Sequence, residues 1–190
     1  IVHFAVDQET AQMTTWLQNG KTVFLPFNQG NGLNGGGNPA NPNGYRTEYL
    51  YKDVLAPSSL LDILQRFIRI EYNDDGTMSK VIFPRFHQLA AVRAIAEHAY
   101  AHGTGNSYLV QHSAGSGKSN TIAWLAHRLS TLHDENDSAV FDSIIVLTDR
   151  RNLDAQLSSN IAAVDHKTGV VVRVEEKDGS AGLRDAINSG

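Results

Sequence analysis

The chain has 190 residues, of which 41% are hydrophobic and 19% charged, enough to bury a core and too apolar for an intrinsically disordered polymer. Sixteen Lys and Arg against twenty Asp and Glu leave a formal charge of −4, so any nucleic-acid contact rests on a local patch rather than on an overall basic field. Cysteine is absent, which excludes disulfides, Cys-ligated zinc and a thiol nucleophile and suits a reducing cytoplasm; no apolar run approaches the ~18 residues of a membrane span, and the opening IVHFAVDQET lacks the basic and apolar regions of a secretory signal.

The chain opens on Ile1 inside a strand-like run and closes on Gly190 after a short helical pattern, and the expectation is a piece of a longer polypeptide. Val2–Val6 and Ala11–Leu17 read as strands joined by a turn at Asp7–Thr10, with Lys21–Leu25 a third candidate. Asn28 to Gly44 is almost entirely Asn, Gly and Pro. Composition alone favours a flexible connector, and an ordered loop is the alternative, since Asn and Gly tolerate positive φ. Ser58–Ile70 follows Pro57 and carries Leu60, Leu61, Leu64, Phe67 and Ile68 at helical spacing, with Ser58 as the N-cap candidate.

From Phe83 onward helical and apolar segments alternate. Helices are predicted over Pro84–Tyr100, Ser119–Leu132, Asn152–Ile161 and Ser180–Asn188; strands over Ser107–Gln111, Asp142–Thr148 and Gly169–Val174. That alternation predicts an α/β fold with a parallel sheet.

The strongest chemical signal is Ser113-Ala114-Gly115-Ser116-Gly117-Lys118-Ser119, between an apolar run and an amphipathic helix. Glycines at 115 and 117 let successive N–H groups turn inward toward phosphate oxygens, and the helix beginning near Lys118 adds its positive dipole end. In this pattern Lys118 reaches the β- and γ-phosphates and the Ser119 hydroxyl serves Mg²⁺, with Ala114, Ser116 and Asn120 completing the cradle. His112 stands where the full G-x-x-x-x-G-K-[ST] pattern has Gly, and its role is open. The plain alternative is a Gly-Ser surface turn.

Two more segments narrow the class. Phe83-Pro84-Arg85-Phe86-His87-Gln88 lies thirty residues ahead of Lys118 and resembles the Q motif of superfamily-two helicases. A Gln88 carboxamide offers one donor and one acceptor to an adenine edge, with Arg85 or Phe86 flanking the base; an ordinary helix start is the alternative. Thr148-Asp149-Arg150-Arg151-Asn152-Leu153 resembles helicase motif Ia, in which Thr148, Arg150 and Arg151 would meet a DNA sugar–phosphate backbone; a solvated Asp–Arg cap is the alternative.

The stretches FLPFNQG, NPNGYRTEYL, IFPRFHQLAAVR, YLVQHSAGSGKSNTIAWLAHRLS and FDSIIVLTDRRNLDAQL together resemble the R subunit of type I restriction enzymes, from Val2 to about Ile161. That resemblance implies an ATP- and Mg²⁺-dependent double-stranded DNA translocase joined to a nuclease, working with methyltransferase and specificity subunits and without a membrane. It implies that residues 1–56 form the rear of a nuclease-type domain and 57–190 the first part of a RecA-like P-loop domain. It also places the nuclease acids before Ile1, and the D-E-x-H box and arginine finger beyond Gly190. The fragment is then expected to bind nucleotide and hydrolyse it poorly. A small-molecule or nucleotide kinase, or a nucleotide-binding module without catalysis, are the other classes the loop alone permits.

Weaker constellations remain. Glu175-Glu176-Lys177 superficially fits a nuclease E-x-K but sits in a charged turn with no partner Asp evident. His98 and His102 lie four apart on a predicted helix, a metal-compatible spacing without an evident third ligand.

Overall fold

The first hairpin forms because Asp7 caps its own turn. In the computed structural model its Oδ1 accepts the N–H groups of Glu9 and Thr10, both at 2.7 Å. These backbone donors, Thr10 first, hold the Asp7 carboxyl below the usual carboxylate range. The structure describes residues 1–32, 35–148, 157–162, 172–174 and 176–188, and these divide into two compact units, Ile1–Ala90 and Ala91–Gly190.

In the first unit, β1 (His3–Val6) pairs antiparallel with β2 (Ala11–Thr14), Phe4 opposite Met13. A two-residue β3 (Leu25–Pro26) lies on the other side of β2. It falls at the end of the predicted Lys21–Leu25 strand; Asn19–Lys21 forms a 3₁₀ turn instead. Pro26 suits an edge position because it has no N–H to offer a further strand.

The Asn/Gly/Pro segment is held by its own carboxamides. Asn38 is 1% exposed. Its Nδ2 donates to Glu9 O at 2.9 Å and to Asn28 Oδ1 at 3.0 Å, while its Oδ1 accepts from Gln29 N at 2.8 Å. Asn28 Oδ1 also accepts from Ala11 N at 2.8 Å. Two asparagines thus stitch the segment to β2 and to the β1–β2 turn, which is the ordered alternative rather than a loose connector. Beyond it, the Thr47 hydroxyl donates to Asp7 O at 2.7 Å, and the Tyr49 hydroxyl donates to Phe27 O at 2.6 Å. Burial pushes the Tyr49 phenol up to about 12. The chain then makes a π-helical turn over Leu50–Val54.

Helix α1 runs Pro57–Arg66, shorter than the predicted Ser58–Ile70. Ala56, not Ser58, occupies the N-cap without a side-chain bond, Pro57 takes the first helical position, and the Ser59 hydroxyl turns back to Val54 O at 2.7 Å. Its buried pair is Ile63 and Phe67, one turn apart, while Leu61 and Leu64 face outward. Strands β4 (Arg69–Tyr72) and β5 (Met78–Ile82) follow as an antiparallel hairpin around a turn at Asn73–Gly76. Glu71 pairs with Arg69 at 2.7 Å and Lys80 at 2.9 Å. Burial works to raise its carboxyl, but the two cations, Lys80 foremost, hold it below the usual range. The core of this unit is aromatic: Phe27 meets Phe4 at 5.3 Å, Phe86 at 5.9 Å and Phe83 at 6.1 Å between ring centroids, and Tyr49 meets Phe86 at 5.2 Å.

Helix α2 (Phe86–His102) ends at Gly103, whose φ of +69° closes it. In the second unit its Val92, Ile95, Ala96 and Ala99 are buried. Helix α3 (Lys118–Ser130) buries Thr121, Ala123, Trp124 and Ala126; of the inward face expected at Ile122, Leu125, Ala126, Leu129 and Leu132, Ala126 and Leu132 are buried, Leu125 and Leu129 half-buried and Ile122 exposed. Residues 157–162 are helical, and α4 spans Gly179–Asn188.

The predicted parallel, RecA-like sheet is not what the described residues form. They contain a three-stranded sheet of order β1-β2-β3 and a two-stranded sheet β4-β5, both antiparallel. Neither 107–111 nor 142–148 belongs to a ladder; Leu109 is 92% and Leu147 85% exposed. A continuous apolar run records a tendency to be buried but names no partner strand. The hairpins, by contrast, carry their pairing in the turns that join them. The predicted strand over 169–174 and the predicted helix start over 152–156 lie largely outside the described residues.

Candidate functional site

Residues 113–119 curl. Gly115 has φ +72° and Gly117 φ +82°, left-handed torsions that cost an L-residue about 1–2 kcal/mol. Ser116 N donates to Ser113 O at 3.3 Å, closing the turn. A Cβ added at Gly115 would meet nothing within 4 Å, so its positive φ, not crowding, is what favours glycine there. Gly117 is the N-cap of α3 with no side-chain capping bond, and the helix carries no acidic residue in its first turn. The leading amides of α3 have no preceding carbonyl in the helix, and its dipole presents positive charge there.

Lys118 lies over the loop. Its Nζ donates to His112 O at 3.1 Å and to Ser113 O at 2.8 Å. Ser119 and Asn120 follow in the first helical turn, both partly buried, with Asn120 N donating to Gly117 O at 3.0 Å. Ala114 is exposed and Ser116 buried. His112 enters through its main-chain carbonyl and does not adopt positive φ. The position therefore has no steric need for glycine, which explains why the chain tolerates His where the general pattern has Gly.

Gln88 stands at the third position of α2. Its Oε1 accepts the backbone N–H of Arg85 at 2.8 Å, the return bond of a capping box, and the residue is 3% exposed. A base reading the carboxamide would compete with Arg85 N–H for that oxygen. The Arg85 side chain is half-buried. Thr148 is exposed and in no helix or strand, whereas Arg150 and Arg151 lie outside the described residues, as does Glu175. Lys177 and Asp178 sit in an exposed 3₁₀ turn over Glu176–Asp178. The helix start was legible as the alternative to base reading, but that alternative had Gln88 solvated, whereas it is a buried cap. The carbonyls that hold Lys118 carry no residue-type signal, because any residue supplies them.

A left-handed Gly followed by Lys and Ser at a helix start is the backbone arrangement that P-loops share. Residues 87–188, just over half of the chain, match the family model described as SWI2/SNF2 ATPase. The chain belongs to that family and carries a superfamily-two, helicase-like ATPase module. No curated protein and no solved structure matches it. Among the described residues, no helix is long and apolar enough to cross a membrane.

The residues present fit a nucleotide triphosphate. The loop is curled, the first turn of the helix carries no acidic residue, and the Lys118 ammonium is held by two main-chain carbonyls of the loop.

Proposed function

We propose that this chain is part of an ATP-driven double-stranded DNA translocase, of the kind that forms the R subunit of type I restriction enzymes. The observation that carries the nucleotide half is the curled Ser113–Ser119 loop at the head of α3, inside the matched ATPase segment. Mg²⁺-ATP, when bound, supplies the γ-phosphoryl group whose transfer to water yields the energy.

The chain's own residues divide the work. Main-chain amides at the helix start, Lys118 and Ser119 among them, hold phosphate oxygens, and Lys118 leaves the carbonyls of His112 and Ser113 to neutralise phosphate charge. The Ser119 hydroxyl is the metal-side ligand, and Asn120 supports the first turn. The helicase resemblance assigns Gln88 and Arg85 to the base, and reading it would require the Gln88 Oε1 to give up the Arg85 N–H. Thr148, Arg150 and Arg151 meet the DNA backbone, which positions the duplex without reading its sequence; that recognition belongs to a specificity subunit, and modification to a methyltransferase subunit. The cytoplasm is the setting in which such a complex meets DNA.

The DNA half is tested by binding a short duplex to the chain at several salt concentrations. Each phosphate contact contributes about 0.9 to the slope of log affinity against log salt. Arg150→Glu combined with Arg151→Glu is expected to flatten that slope by about two contacts. An unchanged slope refutes the assignment of these arginines to DNA.

A further inference from the structure

One buried hydroxyl on α3 has no partner among the described residues. Thr121 is 6% exposed, and its Oγ1 is a buried oxygen without a hydrogen bond. A threonine inside a helix has the carbonyl four residues back as its nearest acceptor. Here that carbonyl is Gly117 O, and it already accepts Asn120 N at 3.0 Å and Thr121 N at 3.3 Å. Both of its lone pairs are therefore engaged. A buried donor left in this state is a standing cost to the fold, and such a group calls for an explanation. Its place on the helix supplies one. Residues three and four apart share a helix face, and a helical side chain leans toward the amino end of its own helix. Thr121 thus lies on the face of Gly117 and Lys118, one turn behind the phosphate loop.

We propose that Thr121 is a positioning residue of the phosphate loop, whose hydroxyl gains a partner only when the loop rearranges around a triphosphate. The inference rests on the phosphate-loop reading and adds to it a residue that never touches the nucleotide. In the nucleotide-free chain the Lys118 ammonium donates to His112 O at 3.1 Å and to Ser113 O at 2.8 Å. When that ammonium turns to a phosphate, two loop carbonyls lose their donor while one hydroxyl behind the loop still lacks an acceptor. Donors and acceptors are out of balance in both states unless the loop and the Thr121 side chain adjust to each other. A hydroxyl that is satisfied only after that adjustment favours the bound form of the loop over the free one, because a contact made in one state alone shifts the balance toward that state.

The experiment compares Thr121→Val, which keeps the branched shape and removes the hydroxyl, with Thr121→Ser, which keeps the hydroxyl. Without nucleotide, Thr121→Val is expected to unfold in urea at or above the midpoint of the parent, because a donor without a partner has been removed. A fluorescent ATP analogue with Mg²⁺ is expected to bind Thr121→Val about fivefold more weakly, the loss of one net hydrogen bond, and to bind Thr121→Ser as tightly as the parent. A lowered urea midpoint in Thr121→Val overturns the proposal, since the hydroxyl then has a partner before nucleotide arrives. Unchanged affinity in Thr121→Val, with the parent binding the analogue, overturns it and leaves the phosphate loop standing. Binding by Thr121→Ser as weak as by Thr121→Val assigns the effect to the methyl group and overturns it as well. A parent chain that does not bind the analogue overturns the phosphate-loop reading, and this proposal with it.

Discussion

Replacing Lys118 with Met keeps the length of the side chain and removes its charge. In the nucleotide-free chain the ammonium makes two hydrogen bonds, to the carbonyls of His112 and Ser113. Both are exposed, so each is worth about 1 kcal/mol net, and the substitution lowers stability by about 2 kcal/mol at most. With phosphate present, one unit of charge about 4 Å away attracts the ammonium by about 4 kcal/mol at an effective dielectric of about 20. Reaching it means giving up the two carbonyls, so the surplus is about 2 kcal/mol. At about 1.4 kcal/mol per decade, Lys118→Met should bind triphosphate roughly thirtyfold more weakly. A fluorescent ATP analogue titrated against both chains measures the affinity, and urea unfolding measures the stability term separately. If Lys118→Met binds as tightly as the parent, the loop does not hold phosphate through this residue. If unfolding shows a loss well beyond two exposed hydrogen bonds, the affinity change reflects folding and the reasoning fails.

Two further outcomes follow from the first unit. Asn38→Ala removes three hydrogen bonds around a side chain that is 1% exposed and should cost about 3 kcal/mol in urea unfolding; a change near zero would mean that the Asn/Gly/Pro segment is not held by its carboxamides. Tyr49 has its pKa raised to about 12 from 10.0, so the stability it contributes is fully present below pH 10 and is lost as pH rises through about 12. Unfolding curves should therefore show an alkaline loss that Tyr49→Phe lacks, at a cost to the mutant near neutrality of about 1 kcal/mol for the bond to Phe27 O. Identical alkaline profiles would count against that burial.

What could be read from the sequence depended on how local the cause was. The turn at Asp7–Thr10, the turn at Asn73–Gly76 and the phosphate loop each draw their geometry from residues within a few positions, and their residue types name them. The stitching by Asn38 links residues 9, 28, 29 and 38, and no composition window contains that information. Apolar runs misled most. Leu61 and Leu64 share a helical period with Ile63 and Phe67 only loosely, and Leu109 and Leu147 sit in runs that resemble buried strands but join no ladder. Periodicity ranks faces by their preference for burial, and where the described residues offer no partner strand that preference goes unmet. At the site, the residues around Gly117 were legible. The use of Gln88 Oε1 as a helix cap was visible only as one of two readings, because the same carboxamide serves either.

The oxygen that Ser113 gives to Lys118 belongs to the main chain, and the side chain above it is exposed. Its hydroxymethyl group is therefore a place to write on. In a polypeptide that lacks cysteine altogether, a thiol placed there by Ser113→Cys would be unique and would accept a single dye. Such a reporter would sit beside the ammonium and register its departure in real time, turning a rearrangement of one side chain into an optical signal.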